Sequence, residues 1–329
     1  MQFVHVSDDG SLSLLTGPDP SPGPGELLLD VWASGVNRAD LMQRAGLYPP
    51  PAGASPILGL ECAGVVLAVG EGVEGFGVGD RVCALLAGGG YASRVVCDAR
   101  VCLPIPEGLS FVEGAAILEV FTTAWLNLKE EGALRPGERV LIWAAASGVG
   151  TAALQLCGMW GNPVWAVASA PKLKVCLELG AAGATDRRAG DLAADVRAFT
   201  DGHGLDVILD PVGASALDLN LRALAVGGRL VLIGLMGGRE APIDLGRVLM
   251  KRLRIQGSTL RGRSAAEKGR LLTAMREALW PSFVDGRLRP ILDRAVPVHE
   301  VEQALDYVAS DASVGKVVLS WNDAELEAT

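Results

Sequence analysis

RVLIWAAASGVG, Arg139 to Gly150, is the stretch on which the fold turns. Val140 to Ala144 is a short apolar run of strand character. Ala145-Ala146-Ser147-Gly148-Val149-Gly150 is a turn of small residues, and Thr151 to Trp160 has the pattern of a helix. Strand, small-residue turn and helix start together make a pyrophosphate site. The backbone comes close to the anion, and free N–H groups and the helix dipole stabilise it. Ala145 and Ser147 stand where the usual pattern has its first two glycines, and Gly150 stands at the third. Small residues at such a turn also serve plain packing, so the context has to decide.

That context is an alternation of apolar strands and helical segments. Pro163 to Ala168, Asp206 to Leu209, Arg229 to Ile233 and Leu253 to Gln256 read as strands. Lys172 to Leu179, Leu192 to Phe199, Ala216 to Leu224 and Leu245 to Met250 read as helices. Such an order implies an α/β fold, a doubly wound parallel sheet with helices on both faces. The first third differs in texture. Glu26 to Trp32, Gly64 to Val69 and Tyr91 to Val96 are strand-like runs between Gly/Pro-rich turns, which suggests a compact, partly barrel-like β domain. The composition shifts near residue 117. After Gly257 come a helical stretch, Ala265 to Leu279, and a last strand, Lys316 to Leu319, expected to return to the first domain.

The residue that closes the second strand of the alternating half tests the cofactor. An acid there holds the ribose 2′-hydroxyl of NAD. Here the strand ends in Ser169, with Lys172 close behind, so nothing repels a 2′-phosphate, and a hydroxyl and an ammonium are present to receive one. NADPH is therefore expected over NADH. Arg187, where the next strand should end, is expected to stack on adenine or add charge to the same phosphate.

With 329 residues, half of them hydrophobic, a fifth charged and a net charge of -9, the chain suits two globular domains. The acidic balance argues against nucleic acid and anionic membranes as partners. Met1 to Gly10 carries Asp8 and Asp9 and is not read as a signal peptide, and no stretch is read as a membrane span. Six cysteines without CxxC spacing read as reduced, buried thiols, so a cytoplasmic location is expected.

Several segments, taken together, resemble one family. They are NRADLMQR (Asn37 to Arg44), GLYPP (Gly46 to Pro50), ILGLE (Ile57 to Glu61), the AAASGVG turn, GLMGG (Gly234 to Gly238) and GKVVL (Gly315 to Leu319). In order and along essentially the whole chain they resemble the zinc-free quinone oxidoreductase branch of the medium-chain dehydrogenase/reductases. The likeness is nearest to the tumour-suppressor-inducible NADPH quinone oxidoreductases, with zeta-crystallin more distant. The resemblance implies a GroES-like domain from residues 1–117 and 258–329, a Rossmann domain from 118–257, and an active site in a cleft between them. It implies NADPH-dependent hydride transfer to a quinone or related conjugated carbonyl.

By the same resemblance, Asn37 stands where zinc-dependent relatives have a ligand cysteine and Leu60 where they have a histidine, and the four-cysteine lobe of a structural zinc is missing. No metal is expected. Catalysis then rests on positioning and on hydrogen bonds to a developing oxyanion. Tyr48, in a Gly/Pro loop, is expected to donate to the substrate oxygen, with its ring against a flat acceptor. Asn37 is expected to bond the substrate or the nicotinamide ribose. Thr123 matches a family threonine beside the nicotinamide. Gly234 and Leu235 are expected to hold the carboxamide through backbone groups, beside a turn at Asp210 to Gly213. Leu260 and Arg261 are candidate phosphate contacts. Glu119-Val120-Phe121 departs from the nearest relatives and leaves substrate size open. An enoyl or alkenal reductase on the same scaffold is the alternative, and a non-catalytic NADPH-binding protein, crystallin-like or RNA-binding, is the alternative of another class. A homodimer is expected, because the strand Leu253 to Gln256 would otherwise be an exposed sheet edge.

Overall fold

A computed structural model describes residues 1–322, 324 and 326. The chain forms two compact units: Met1–Thr122 together with the segment from Leu260 onward, and Thr123–Thr259.

In the second unit, six strands form one sheet in the spatial order Gly183–Asp186, Val164–Ala168, Val140–Trp143, Leu205–Asp210, Leu224–Leu232 and Arg254–Gly257. Every pairing is parallel, and the strand of the RVLIWA run lies at the centre. This is the doubly wound order in which the chain starts at the middle, builds one half, then returns to build the other. The central strands are apolar on both faces because helices cover both. Leu141, Val167, Ile208 and Leu230 on the strands pack with Leu192, Val196 and Leu221 on the helices. The helices Leu192–Phe199 and Leu245–Lys251 agree with the sequence reading within a residue, and Gly148–Trp160 begins inside the turn assigned to phosphate.

The first unit is built mainly on antiparallel pairing, with one parallel pair, Leu292–Pro297 against Lys316–Ser320. Its sheet runs Leu292–Pro297, Lys316–Ser320, Glu26–Val36, Glu61–Val69, Arg81–Leu85 and Cys102–Pro104, with Arg94–Asp98 also paired to Glu26–Val36. The last strand pairs Val317 with Val36 and Leu319 with Ser34, so the chain's two ends share one sheet. The helix Ala265–Val284 runs past the expected end at Leu279 and through Pro281.

The helical run Phe111–Glu131 corrects the reading that no stretch could span a membrane. Its mean hydropathy of 1.2 and its length would allow it, but 78% of that window is buried inside the protein, as a core helix is. Glu113 and Glu119 interrupt its apolar residues and hid it in the sequence.

At the centre of the first unit sits a buried ion pair. Lys316 Nζ donates to Val36 O, Asn37 Oδ1 and Glu61 Oε1, each at 2.7 Å. Lys316 and Glu61 are 2% and 1% exposed. Glu61 Oε2 accepts from the backbone N–H of Glu119 at 2.9 Å, and Oε1 also accepts from Asn37 Nδ2. A Cβ on Gly35 would meet Glu61 Oε1 at 2.5 Å and Ala115 O at 2.4 Å, so only glycine leaves room for this carboxylate. Removing one member of such a pair leaves the other charge buried alone. We expect Lys316→Met to cost about 3–5 kcal/mol, read as a lower urea midpoint by tryptophan fluorescence. An unchanged midpoint would contradict this account.

Candidate functional site

Because the six strands are parallel, their carboxyl ends lie along one edge of the sheet. Ala145 to Gly150 follow Val140–Trp143 there, Ser169 follows Val164–Ala168, Arg187 follows Gly183–Asp186, and Gly234 and Leu235 follow Leu224–Leu232. Topology thus places along one edge the residues that the sequence reading assigns to a nucleotide.

Ala144 takes a φ of +50°, left-handed backbone at the point where the chain leaves the strand. Ser147 Oγ accepts from Gly150 N at 3.1 Å and caps the helix Gly148–Trp160. The first-turn N–H groups of Gly148 and Val149 are the ones a helix cannot satisfy internally, so they remain for an anion. A Cβ on Gly150 would lie 2.5 Å from Ala144 O and from Ala145 C and O, so the close helix–strand approach requires glycine. These features fit a bound pyrophosphate.

Ser169 makes no side-chain cap bond and precedes the short turn Ala170–Lys172. A recess of about 370 Å³ lies nearby, walled by Trp143, Val167, Leu192 and Leu219, with Arg187 and Asp186 among its polar residues. At the far half of the edge, Met236 N donates to Pro211 O and Gly237 N to Val212 O, which seats the GLMGG turn on the Asp210 turn. Asp210 is fully buried and accepts from the N–H groups of Val212 and Gly213 and from Asn220 Nδ2. Burial pushes its carboxyl up, against those three bonds.

The first unit holds a second group of polar residues. Arg261, 3% exposed, donates to Ala87 O at 2.8 Å, Tyr48 O at 3.1 Å and Gln43 Oε1 at 2.6 Å, and its guanidinium lies 5.2 Å from the Tyr48 ring centroid. The structure therefore shows Arg261 holding the Tyr48 loop, a role the sequence reading did not foresee; Leu260 before it is buried. Tyr48 is partly exposed, and its hydroxyl has no hydrogen-bond partner among the described residues. Burial pushes the Tyr48 hydroxyl up, with Glu119 adding to the effect and Arg261 opposing it.

Asn37 is differently placed from the expectation. Both amide hydrogens go to Gly35 O and Glu61, and its Oδ1 already accepts from Lys316. What it retains for a ligand is acceptor capacity. Asp40, fully buried, accepts from Asn37 N, Gly59 N and the Tyr91 hydroxyl. Burial pushes its carboxyl up to about 6. Thr123 lies in the helix Leu118–Trp125; its carbonyl accepts from Asn127 Nδ2, and its hydroxyl makes no back-bond.

The sequence reading assigned no role to Glu61, Lys316, Asp40 or Lys268. A lysine opening the otherwise apolar KVVLS strand was the available signal for Lys316, but its partner lies 255 residues away.

Zinc is not a fit for these residues. Leu60 offers only hydrocarbon, Asn37 offers a neutral amide already engaged with Lys316 and Glu61, and among the described residues no three His, Cys, Asp or Glu side chains converge.

Residues 23–107 match the alcohol dehydrogenase GroES-like domain family, and residues 148–276 match the zinc-binding dehydrogenase family. The mouse synaptic vesicle membrane protein VAT-1 homolog is 34% identical over 317 residues, 91% of this chain and 77% of that protein. The chain belongs to the medium-chain dehydrogenase/reductase superfamily of oxidoreductases. Pikromycin polyketide synthase component PikAII of Streptomyces venezuelae is 37% identical over 96% of this chain, which spans only 8% of that protein's length.

Among solved structures, the Escherichia coli quinone oxidoreductase complexed with NADPH has a TM-score of 0.87 at 27% identity, covering 97% of this chain and 98% of that one. An NAD-dependent alcohol dehydrogenase scores 0.86 at 31%, covering 98% and 100%. JamJ enoyl reductase scores 0.86 at 26%, covering 97% and 98%.

Gly150→Ala should force the helix from the strand and weaken dinucleotide binding by about 1–3 kcal/mol, 5- to 150-fold in Kd. Titration with NADPH followed by quenching of protein fluorescence checks this; an unaltered Kd would refute the assignment of the turn.

Proposed function

We propose that this protein is an NADPH-dependent, metal-independent reductase of conjugated carbonyl compounds, quinones among them. One observation carries the reading. Among the described residues, three polar side-chain tips of the first unit, the Tyr48 hydroxyl, the Glu119 carboxyl and the Lys268 ammonium, make no hydrogen bond or ion pair. Neighbouring charges link them: Tyr48 feels Glu119, and Glu119 feels Lys268. Lys268 is 3% exposed, while Tyr48 and Glu119 are partly exposed and so open to a ligand or to water.

Bound NADPH supplies a hydride. For the protein's part, the N–H groups of Gly148 and Val149 would hold the pyrophosphate, and Ser169 and Lys172 would receive the 2′-phosphate. Arg187 would border the adenine, and the backbone at Gly234 and Leu235 would hold the carboxamide. Tyr48 would donate to the acceptor oxygen, where negative charge develops. The solved quinone oxidoreductase with NADPH supports this cofactor and acceptor, while the NAD-dependent alcohol dehydrogenase makes the cofactor choice a matter for measurement. A tumour-suppressor-inducible type of quinone oxidoreductase remains our reading of the NRADLMQR and GLMGG segments. The enoyl reductase neighbour and the polyketide synthase relative support double-bond reduction as the second reading. Six cysteines, all free thiols and all buried, support a cytoplasmic setting.

The test is the loss of reduced-nicotinamide absorbance with NADPH or NADH against benzoquinone and an α,β-unsaturated ketone. We expect turnover with NADPH, a fall in kcat of about 10- to 100-fold in Tyr48→Phe, and a rise in KM for NADPH of about tenfold in Lys172→Ala with NADH unaffected. Tight NADPH binding without turnover of any acceptor would favour a non-catalytic binder.

We also propose a homodimer. The strand Arg254–Gly257 is an edge of its sheet, and the adjacent helix Leu245–Lys251 exposes Leu245, Leu249 and Met250 at 68–76%. Light scattering at micromolar concentration should give twice the chain mass; a monomer would overturn this.

A further inference from the structure

We propose that Cys97 and Cys102 form a modification site, a thiol pair that hydrogen peroxide converts to an intramolecular disulfide locking a seam in the first unit. The proposal is independent of the reductase reading, and every residue in it belongs to the first unit.

The seam follows from the strand pairing. Arg94–Asp98, Glu26–Val36, Glu61–Val69, Arg81–Leu85 and Cys102–Pro104 are each bonded to the next in that order. Among the described residues no ladder joins the first of these to the last, although only the turn Ala99–Val101 separates them in the chain. Their thiols meet instead: Cys97 Sγ lies 3.3 Å from Cys102 Sγ. A disulfide bond is about 2.05 Å long, so closing it asks for a movement of roughly 1.2 Å. The turn already holds the two residues in place. Arg100 N donates to Asp98 Oδ1 at 2.9 Å, Cys102 N donates to Ala99 O, and Ala99 N donates to Gly25 O at 3.0 Å. The helix Ala265–Val284 presses on the same turn, since a Cβ on Gly269 would lie 3.0 Å from Arg100 Cβ.

The register selects this pair over the neighbouring thiols. Cys62 pairs with Ala84, and Ala84 pairs with Cys102. Two strand spacings, roughly 10 Å, therefore separate Cys62 from Cys102. That is beyond the reach of about 7 Å between the Cα atoms of a disulfide. Cys83 pairs with Ala63, one position out of step with Cys62, so the side chains of Cys62 and Cys83 leave opposite faces of the sheet.

Exposure sets the order of events. Cys97 is 7% exposed and Cys102 3%. The contact with Cys97, and then burial, hold the Cys102 thiol well above its usual range, so Cys102 keeps its proton and oxidation starts at Cys97. The Cys97 sulfur attacks one peroxide oxygen and the O–O bond breaks. Cys97 becomes a sulfenic acid, and the departing oxygen leaves as water with the thiol proton. The Cys102 sulfur then attacks the Cys97 sulfur; the S–O bond breaks, and a second water leaves with the Cys102 proton. The two thiols lose two electrons and the peroxide takes both. A disulfide made this way is reversible, as intracellular disulfides of redox-sensing type are.

The experiment treats the folded, reduced full-length chain with hydrogen peroxide, alkylates the remaining thiols in denaturant and digests with trypsin. Cleavage after Arg94, Arg100 and Lys129 puts the two cysteines in separate peptides, residues 95–100 and 101–129. We expect these peptides cross-linked, at about 2 Da below the sum of their masses, and released by dithiothreitol. The oxidised protein should melt about 5 °C above the reduced one, because the link restricts the unfolded chain. Cys97→Ala and Cys102→Ala should each lose both the cross-link and the rise. Peptide mapping of the wild type decides the site even where a variant does not fold. No cross-link, a cross-link between other cysteines, or Cys97 oxidised without joining Cys102 would overturn the site. A link between Cys97 and Cys102 with an unchanged melting temperature would overturn the lock.

Discussion

The buried contact between Lys316 and Glu61 is the constraint on which the first unit depends. One ammonium, three acceptors at 2.7 Å and almost no exposure leave neither charge an alternative partner. Such a pair contributes little net stability over an apolar replacement, because both ions lost their hydration. Its consequence is specificity of arrangement. It draws the last strand against Glu26–Val36, orients Asn37, and fixes the helix start at Glu119. The chain's two ends therefore meet in one sheet for an electrostatic reason as well as a hydrophobic one.

The same economy explains which residues are free to act. Asn37 and Arg261 look like ligand-binding groups in the sequence, but most of their hydrogen-bonding capacity is committed to the protein's own oxygens. Among the described residues nothing bonds the polar tips of Tyr48, Glu119 and Lys268. Arg261 is better seen as the brace that sets the Tyr48 loop, accepted by two backbone carbonyls and the Gln43 amide oxygen.

In the second unit the corresponding constraint is parallel order. A parallel sheet places every carboxyl end on one edge, so residues as distant as Ser147 and Gly234 share a border without contacting each other in sequence. Local chemistry then sharpens that edge: a left-handed Ala144, a serine cap at Ser147, and a glycine at 150 where any Cβ would collide.

Much was legible from the sequence alone, because periodicity and turn chemistry are local. The strand–turn–helix at Val140–Trp160, the alternating half with its parallel sheet, and the small residues of the phosphate turn all follow from neighbours a few positions apart. Helix and strand ends moved by a few residues, and the Phe111–Glu131 run was missed because isolated acids masked its apolar character. What only tertiary structure decided is which polar residues are satisfied. Glu61 and Lys316 stand 255 positions apart, and Lys268 belongs to a helix whose pattern shows only that it is a helix. Hydrogen-bond saturation and burial depend on which distant backbone arrives beside a side chain, so the chemistry of this site was decided by folding, while its scaffold was written in local order.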